Sequence, residues 1–497
     1  MKKTIVALTA GLTGAAVAAT WRHRRNVRLS RNLDLARLGA KVGGNYASTA
    51  ARKVFASAER RIELDTEREL KTAEAITERL GHMKGALMKL GQMASYIDEG
   101  LPGPLREALS QLQSNAPPMS AELAAQVITE ELGMHPDELF VEWDPLPLAS
   151  ASIGQVHRAV VVDPATGLER AVAIKVQYPG VAEAIAADLR NADLLGAILK
   201  QGFGGLDPDE MVAEVKERIT DELDYELEAR NQTVFAEHYR GHPFIHVPEV
   251  LPSLSTRRVL TTELVTGATW AEALTWDQEQ RDLIGETLFR FVFRSLYGMH
   301  LFNGDPHPGN YLFHGDGKVT FFDYGLVKHF SDDEMRTFVS MVRTAAYDHD
   351  VSAFRGILES AGMLRPGAPV GDDEVGEYFS QFYESVRTDA PMTWSGEYAS
   401  RIVRHTFDRT SPISQYATVP KAFVFIQRIN LGLYALLGEL RASGNYRRMA
   451  EELWPFVQGP PSTSMADAEQ QWLTTVQARR IPVTDGAPPP VAHEPLG

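Results

Sequence analysis

Residues 303–324 read NGDPHPGNYLFHGDGKVTFFDY, and the interpretation of the whole chain depends on this stretch. Asp305 is followed by Asn310, and Asp323 comes directly after the short β-rich run at 319–322. The run predicts a strand that ends at Asp323, with Gly325 freeing the backbone after it. Carboxylate and amide oxygens are the ligands that a hard, octahedral cation requires. The stretch therefore contains the donor atoms of a candidate metal site.

Two interpretations of this stretch are open when it is taken alone. In a protein-kinase-type site, one Asp orients the nucleophile, an Asn five residues later holds one Mg²⁺, and the Asp of an Asp-aromatic-Gly turn holds metal against the phosphates. The alternative is a pair of ordinary surface turns, since Asp-Pro, Pro-Gly and His-Gly-Asp-Gly are turn-forming sequences. The rest of the chain decides between them.

Length and composition limit the possible classes of protein. A chain of 497 residues can form two or three domains, and 44% hydrophobic residues is ordinary for a globular protein. The net charge of −15 argues against nonspecific nucleic-acid binding, which requires a basic surface. The sequence contains no cysteine, which excludes disulfides, thiolate catalysis and Cys-ligated metal centres.

The N-terminal residues 1–33 combine a short apolar run with basic residues on both sides. The run resembles a secretory signal, but the stronger basic cluster lies after it, which favours keeping the downstream chain in the cytoplasm. We therefore predict a membrane-associating segment, as an anchor or lying in the interface, and place the protein on the cytoplasmic side of a membrane. The cluster also suits anionic lipid; its members are Arg22, Arg24, Arg25, Arg28 and Arg31.

A helical extension is predicted over residues 34–140. From Ile76 onward, apolar residues recur at spacings of three and four, which is typical of an amphipathic helix. Lys89 and Gln92 lie three apart and share a face beside the apolar stripe. Taken alone, Lys89 is better explained as a solvated lysine on such a helix, because lysines usually stay exposed.

Residues 144–176 read as a loop of small residues, a strand (156–162), a turn (163–167) and a second strand (171–176) that contains Lys175. Small residues let backbone amides approach phosphates, and a Val-Ala-Ile-Lys strand typically presents its lysine to the α- and β-phosphates. An ordinary hairpin with an exposed lysine is the alternative. The predicted nucleotide-covering residues are Ala149, Ser150, Ala151, Ser152, Ile153, Gly154 and Val156.

The following segments supply possible partners for that lysine. A helix is expected over 209–238, where Glu222 and Glu228 point about 120° apart and could serve two different cations. Residues 245–250 and 258–263 read as strands. Glu263 and Val265 lie where a small lobe would connect to a large one and where adenine meets the backbone. Helices are expected over 283–302 and 331–362, and a disordered tail over 459–497.

The order of these motifs resembles the UbiB family of atypical kinases, also called the AarF-domain family. The resemblance covers roughly residues 75–454, and its most specific parts are Lys-x-Gly-Gln at 89–92, Ser-Ile-Gly-Gln-Val-His at 152–157 and Asp-Pro-His-Pro-Gly-Asn at 305–310. It implies an α+β, protein-kinase-like fold of two lobes. The implied boundaries are an N-terminal helical extension (34–140), a small β-rich N-lobe (141–266) and a helical C-lobe (267–458).

The resemblance also implies roles for individual residues. Lys175 resembles the lysine that contacts ATP phosphates, and Glu228 resembles its partner on a helix. Asp305 resembles the catalytic-loop aspartate, whereas Asn310 and Asp323 resemble the Mg²⁺ ligands. Lys89 and Gln92 resemble an extension motif that folds over the active site, where Lys89 would meet Glu222 and Asp224. In this family the cover obstructs protein substrates, and an alanine in the nucleotide loop alters nucleotide preference.

Members of this family support isoprenoid-quinone biosynthesis, show ATPase activity and associate with membranes and lipid-like precursors. The implied cofactors are ATP or another nucleotide and Mg²⁺. The implied partners are a lipid-like quinone precursor or membrane surface and quinone-biosynthesis enzymes, and no nucleic acid. Two other functions stay open: a phosphotransferase acting on a small molecule or protein, and a nucleotide-binding scaffold without chemistry. The sequence does not give the oligomeric state.

Overall fold

The structure is a computed structural model. Several predictions fall outside the residues that it describes: the membrane-associating segment, the extension residues Lys89 and Gln92, and the single residues Ser152 and Asp305. The roles of these residues remain predictions. The described residues are 119–151, 153–182, 220–304, 306–407, 411–418 and 420–479.

The described chain divides into two compact units, and each is treated by itself. The smaller unit comprises residues 119–127, 145–157, 176–182 and 220–223. The larger unit comprises the other described residues, including everything from 224 onward. Lys175, Glu228, Asn310 and Asp323 all belong to the larger unit.

The strands of the described residues form four sheets, with the orders β1-β2-β3-β5, β4-β8-β7, β6-β9 and β10-β11. Strands β1, β2 and β3 have nine residues each. Their bounds are β1 (Glu142–Ser150), β2 (Gly154–Val162), β3 (Glu169–Gln177), β4 (Ile245–His246), β5 (Val259–Glu263), β6 (Leu301–Asn303), β7 (Tyr311–Phe313), β8 (Val319–Phe321), β9 (Val327–His329), β10 (Met392–Thr393) and β11 (Ser443–Gly444).

Helices dominate the larger unit. None of the described helices is both long enough and apolar enough to cross a bilayer. Their bounds are α1 (Ala121–Leu132), α2 (Pro136–Leu139), α3 (Tyr225–His238), α4 (Trp270–Ala273), α5 (Gln278–Met299), α6 (Asp332–Val342), α7 (Val351–Ser360), α8 (Asp372–Ser380), α9 (Glu384–Arg387), α10 (Gly396–Phe407), α11 (Lys421–Leu440), α12 (Tyr446–Leu453) and α13 (Ser464–Arg479).

The first sheet contains one strand that the sequence analysis missed. Strand β1 includes Pro145 and Pro147, and it lies at the edge of the described sheet. Proline has no N–H to donate, so it is tolerated in an edge strand but argues against a central one. Because β1 runs to Ser150, the predicted nucleotide loop is shorter than expected, and Ala149 and Ser150 belong to a strand.

Strand β4 also departs from the predicted lobes. The boundary at residue 266 placed it in the small lobe, yet it pairs in parallel with β8, matching Ile245 with Val319 and His246 with Thr320. The predicted boundary therefore does not separate the sheets of this fold.

The helix predicted over 209–238 is interrupted within its described part. A helical turn ends at Glu222, and α3 begins only after Asp224, whose carboxylate accepts a hydrogen bond from Leu227 N–H at 3.0 Å. Aspartate is a strong N-cap because its oxygen satisfies one of the free amides of a helix start. Glu222 and Glu228 thus lie on different elements, and the predicted 120° between them does not apply.

The helix predicted over 331–362 is likewise two helices. Ser331 caps α6 as expected, within a capping box that includes Glu334. A π-helical turn at Arg343–Tyr347 follows, and α7 restarts after Asp350, whose side chain accepts a hydrogen bond from Ala353 N–H at 2.9 Å. The break arises because His349 adopts a left-handed φ of 54°.

The tail prediction is wrong for residues 464–479, which form helix α13. Glu469 of this helix is 1% exposed and binds two arginines and a histidine that lie far upstream in the chain. Its carboxylate lies 3.0 Å from Arg290, 2.6 Å from Arg294 and 3.3 Å from His242. Trp472 adds a hydrogen bond from its indole N–H to the Arg240 carbonyl at 3.1 Å.

We expect this buried pairing to make stability pH-dependent. Burial would raise the pKa of Glu469, but the His242 hydrogen bond and the arginines outweigh it and lower the pKa to about 2. Since the native pKa lies below the unfolded one, the carboxylate stabilises the fold above about pH 4.5, and this contribution is lost progressively as the pH falls toward 2. The urea midpoint of Glu469→Gln should therefore lie well below wild type at pH 7.

The difference between the urea midpoints of wild type and Glu469→Gln should narrow as the pH falls from 5 to 3. Glu237→Gln, on the exposed face of α3, is the control and should follow wild type. A Glu469→Gln deficit that stays constant over this pH range would contradict the ion-pair explanation.

Candidate functional site

Two antiparallel ribbons bring Asn310 and Asp323 to the same place. In the first ribbon, β7 pairs with β8, and Phe322 N–H donates to the Asn310 carbonyl at 3.1 Å. In the second, β6 pairs with β9, so the segment that leaves β6 starts beside the point where the segment that leads into β9 ends. The predicted metal ligands Asn310 and Asp323 therefore lie close together, at the end of the β7–β8 ribbon.

The Asp-Pro-His-Pro-Gly-Asn segment folds as a capped turn. His307 Nδ1 accepts a hydrogen bond from Gly309 N–H at 3.0 Å, and Asn310 N–H donates to the His307 carbonyl at 2.9 Å. A Cβ on Gly309 would lie 2.9 Å from His307 Nδ1, so a larger residue does not fit without movement. The motif therefore positions Asn310 through local hydrogen bonds.

Asp323 is held in a strained turn. Its φ of 70° lies in the left-handed region, which non-glycine residues adopt at an energetic penalty. Gly325 N–H donates to its Oδ1 at 3.2 Å. Two buried amides clamp the turn: Asn303 donates to the Asp323 carbonyl and Asn231 to the Tyr324 carbonyl, each at 3.0 Å. The surrounding structure therefore fixes where the carboxylate points.

Tyr324 anchors this turn from beneath. Its side chain is completely buried, and its ring lies 4.8 Å from that of Phe235 on α3. Phe291 of α5 continues the aromatic core, stacked 3.8 Å from Phe321. Burying each such ring contributes about 1.5–3 kcal/mol. The aromatic residue after Asp323 therefore packs in the core beneath the turn.

Lys175 of β3 lies between two carboxylates of the larger unit. Its Nζ donates to Glu228 Oε1 at 2.8 Å and to Oε2 at 2.9 Å, and Asp323 Oδ2 lies 3.8 Å from the same nitrogen. The side chain of Glu228 is 4% exposed and that of Lys175 is 18% exposed, whereas Asp323 keeps 33% of its surface accessible. The lysine and the predicted metal ligand thus share one site.

The electrostatics of the site keep the lysine charged. Burial alone would lower the pKa of Lys175, but the carboxylates of Asp323 and Glu228 outweigh it, so the net shift is well above the usual range. The ammonium also lies 5.0 Å from the centre of the Tyr225 ring, a cation–π contact. A permanently charged donor beside an accessible carboxylate suits a polyphosphate with its cation.

The segment on either side of Asp305 is fixed by packing. Gly304 N–H donates to the Leu326 carbonyl at 2.7 Å, and a Cβ on Gly304 would lie 3.2 Å from the Leu326 side chain. Pro306 packs directly against the backbone of α11, since a Cβ on Gly432 would lie 2.3 Å from its Cγ. Gly432 is thus a positioning residue for this loop.

Replacing Gly432 with alanine should lower turnover while leaving the protein folded. The new methyl group must displace Pro306, and a shift of about 1 Å in a catalytic loop lowers the rate up to roughly a hundredfold. The measurement is kcat for ATP hydrolysis, the activity that the motif resemblance implies, alongside the thermal midpoint. Gly356→Ala in α7, where no atom lies within 4 Å of the new Cβ, is the matched control and should be fully active. Equal turnover in the two variants would contradict this role.

The predicted nucleotide loop lies in the smaller unit. Ala151 N–H donates to the Gly154 carbonyl at 2.8 Å, which closes a tight turn, and the Ile153 side chain is buried. Gln155 of the same motif accepts a hydrogen bond from Met119 N–H at 2.9 Å and donates to the Met119 carbonyl at 3.2 Å. Its side-chain nitrogen also lies 2.9 Å from His157 Nε2. Part of this motif therefore has a structural role, and its contact with nucleotide remains a prediction.

The predicted adenine contacts are Glu263 and Val265. The Glu263 N–H donates to the Glu249 carbonyl at 2.8 Å, and its carboxylate lies 3.3 Å from His246, which lowers the Glu263 pKa. The Val265 N–H donates to no described backbone group. The contact of these two residues with adenine remains a prediction.

Three positioning residues were missed by the sequence analysis: Asn231, Asn303 and Gly432. Asn231 lies three residues after Glu228 and so faces the same way on α3. That spacing was a usable signal. The contact between Gly432 and Pro306 spans more than a hundred residues, and no local pattern indicates it.

Comparison with known proteins agrees with this geometry. A family profile described as "ABC1 atypical kinase-like domain" matches residues 111–357. The chain belongs to this family. ABC1 proteins are also known as UbiB or AarF-domain proteins, so the resemblance drawn from the motifs is confirmed, as is the α+β kinase-like fold.

Several relatives of this ABC1 protein carry names that describe kinases. "Atypical kinase COQ8B, mitochondrial" of Rattus norvegicus is 34% identical over 279 residues, which are 55% of this chain and 51% of the relative. "Atypical kinase COQ8, mitochondrial" of Saccharomyces cerevisiae is 31% identical over 262 residues, 52% of this chain and 51% of the relative. The chain thus spans about half the length of these curated relatives.

A solved structure also matches. The complex of Rv3197 with erythromycin from Mycobacterium tuberculosis is 32% identical and has a TM-score of 0.58. The match covers 80% of this chain and 100% of the solved chain. The fold similarity therefore extends beyond the residues that the family profile covers.

Proposed function

We propose that this ABC1 protein binds ATP or a related nucleotide with Mg²⁺ and cleaves its terminal phosphate bond. The observation that carries the proposal is the position of Lys175 Nζ, 2.8 Å from Glu228 and 3.8 Å from Asp323. A structure with the lysine and Asp323 on opposite sides of the molecule would have excluded a shared phosphate site.

Lys175 would bind the α- and β-phosphates, and Glu228 would position it. The ammonium has three donors, of which the Glu228 carboxylate takes up two. Phosphate oxygens would then occupy the remaining direction, toward the accessible side of Asp323. A lysine held this way acts as a fixed point charge for phosphates.

The residues present fit a hard divalent cation. Asn310 and Asp323 offer one amide oxygen and one carboxylate, and Asp323 keeps a third of its surface accessible. Mg²⁺ is usually held by one or two such oxygens, with phosphates and water completing its shell. When bound, the cation would neutralise charge that develops on the phosphates. Asp305, by resemblance, would orient water or an acceptor hydroxyl.

The direct test uses purified full-length protein and ATP labelled in the γ-phosphate. Free labelled phosphate, produced faster than by the Asp323→Asn variant, would support an ATPase. Label found on an added small molecule or protein would support the alternative, a phosphotransferase. Protein that binds no nucleotide at all would overturn both.

A scaffold without chemistry is separated from both by complementation. In a strain that lacks the gene, a scaffold predicts that Asp305→Asn restores growth, whereas an enzyme predicts that it does not. The intact set of Asp305, Asn310 and Asp323 favours the enzyme, because a non-catalytic protein has no need to keep the complete set.

We further propose that the turnover supports isoprenoid-quinone biosynthesis by handling a lipid-like precursor at a membrane surface. The family membership and the basic N-terminal cluster support this proposal. The names of the relatives place those proteins in mitochondria. Comparing quinones and their precursors in the deletion strain tests the proposal, and unchanged levels of both would contradict it.

A further inference from the structure

The helical part of the larger unit encloses an apolar cavity of about 100 Å³. Its walls come from several helices, with Phe293 and Tyr297 on α5, Phe338 on α6, Phe379 on α8 and Phe423 on α11. A second cavity of about 50 Å³ shares Phe293 and Tyr297, so the two lie side by side. Lys175, Glu228, Asn310 and Asp323 line neither cavity, which places both outside the nucleotide site.

Asn430 of α11 lines both cavities, and its Oδ1 is buried without a hydrogen bond among the described residues. Ser385 Oγ, which lines the second cavity, is likewise unpartnered among them. The walls also carry the hydroxyls of Tyr297, Tyr383 and Tyr434. An unsatisfied buried acceptor costs about 1–3 kcal/mol and needs an explanation. The geometry points to a ligand that donates to Asn430.

The chemistry of the walls defines that ligand. None of the described residues that line the two cavities carries a charge, so an ionic molecule would lose its hydration without compensation. Burial raises the pKa of Tyr297, Tyr383 and Tyr434, which keeps these lining phenols neutral. The two adjoining cavities together measure about 150 Å³, and a cavity of about that volume binds benzene.

We propose that this cavity is a binding site for a compact, neutral, ring-sized apolar molecule with one hydrogen-bond donor directed at Asn430. The site is separate from the proposed nucleotide site, and the proposal goes beyond phosphate chemistry. Its selectivity follows from a single interaction: a molecule of the same shape without the donor leaves the Asn430 oxygen unsatisfied.

Indole and benzofuran test this proposal directly, because they share a ring framework and only indole has an N–H. Isothermal titration of the full-length, nucleotide-free protein should show indole binding roughly three- to tenfold more tightly, the value of one net hydrogen bond. Saturating ATP should leave indole affinity unchanged. This arm separates the cavity from the nucleotide site, so the proposal can fail without affecting the ATPase proposal.

Three variants sharpen the test. Asn430→Leu, which removes the acceptor at similar volume, should abolish the preference for indole and leave benzofuran affinity unchanged. Val342→Phe adds a ring to a wall shared by both cavities and should abolish binding of both probes. Val234→Phe, on the 46% exposed surface of α3, is the matched control and should bind as wild type.

Three results would overturn the proposal: no indole binding at millimolar concentration, displacement of indole by ATP, or equal affinity of the wild type for the two probes. If Asn430→Leu fails to fold, the difference in affinity between indole and benzofuran in the wild-type protein still tests the proposal.

Discussion

Replacing Asp323 with asparagine is expected to abolish Mg-ATP turnover, with a loss of at least roughly 10²–10³-fold in kcat. The carboxylate is the accessible charged oxygen donor beside Lys175, and an amide in its place removes the negative charge that would hold the cation. The fold should survive, because asparagine tolerates the φ of 70° at this position. The measurement is the rate of phosphate release, with the thermal midpoint recorded for the same preparation.

Asp316→Asn is a matched control for this experiment. Asp316 lies in the turn between β7 and β8, is exposed, and has a φ of 58°, so the same substitution is made on the same ribbon in the same backbone conformation. We expect it to hydrolyse ATP at the wild-type rate. Phosphate release by purified Asp323→Asn at the rate of Asp316→Asn would refute the metal-site assignment.

Replacing Lys175 with methionine is expected to damage both stability and turnover. The change removes the ammonium that donates to both carboxylate oxygens of Glu228, whose side chain is 4% exposed. Breaking a buried ion pair from one side costs about 3–5 kcal/mol. Turnover should fall as well, since the phosphates lose their positive contact. The measurements are the free energy of unfolding in urea and kcat.

A double variant separates the two effects. The double variant Lys175→Met with Glu228→Gln removes both charges of this pair, so most of the lost stability should return while turnover stays absent. Arg158→Met is the control, because it breaks the exposed pair with Glu142, of the same 2.8 Å length, and should cost no more than about 1 kcal/mol. Equal destabilisation by Lys175→Met and Arg158→Met would contradict the claim that the buried Lys175–Glu228 pair stabilises the fold more than an exposed pair does.

The prediction of the site from sequence succeeded where the signal was local. The strand ending before Asp323, the strand carrying Lys175 and the Ser331 cap all depend on neighbouring residues, and each appears in the structure. Backbone preferences and capping act over three or four residues, so a short window contains them.

The failures have a common physical cause. Strand β1 contains prolines that a propensity rule rejects, and only its edge position makes them acceptable. Helix α13 lies in a stretch rich in Pro, Ser and Ala, and its docking depends on Glu469 meeting arginines nearly 180 residues earlier. At Asp224 the helix cap starts a new helix, although the spacing of the residues predicted one continuous helix.

By itself, the sequence determined the family and the chemical identity of the site residues, because the motifs at 152–157 and 305–310 occur in order and consist of specific donors. Only the tertiary structure decided that Lys175, Glu228 and Asp323 meet within 4 Å, and that Asn430 faces an apolar cavity. The reason is that propensity and capping are properties of a few adjacent residues. The energy of a buried charge or acceptor depends instead on partners that folding brings from distant parts of the chain.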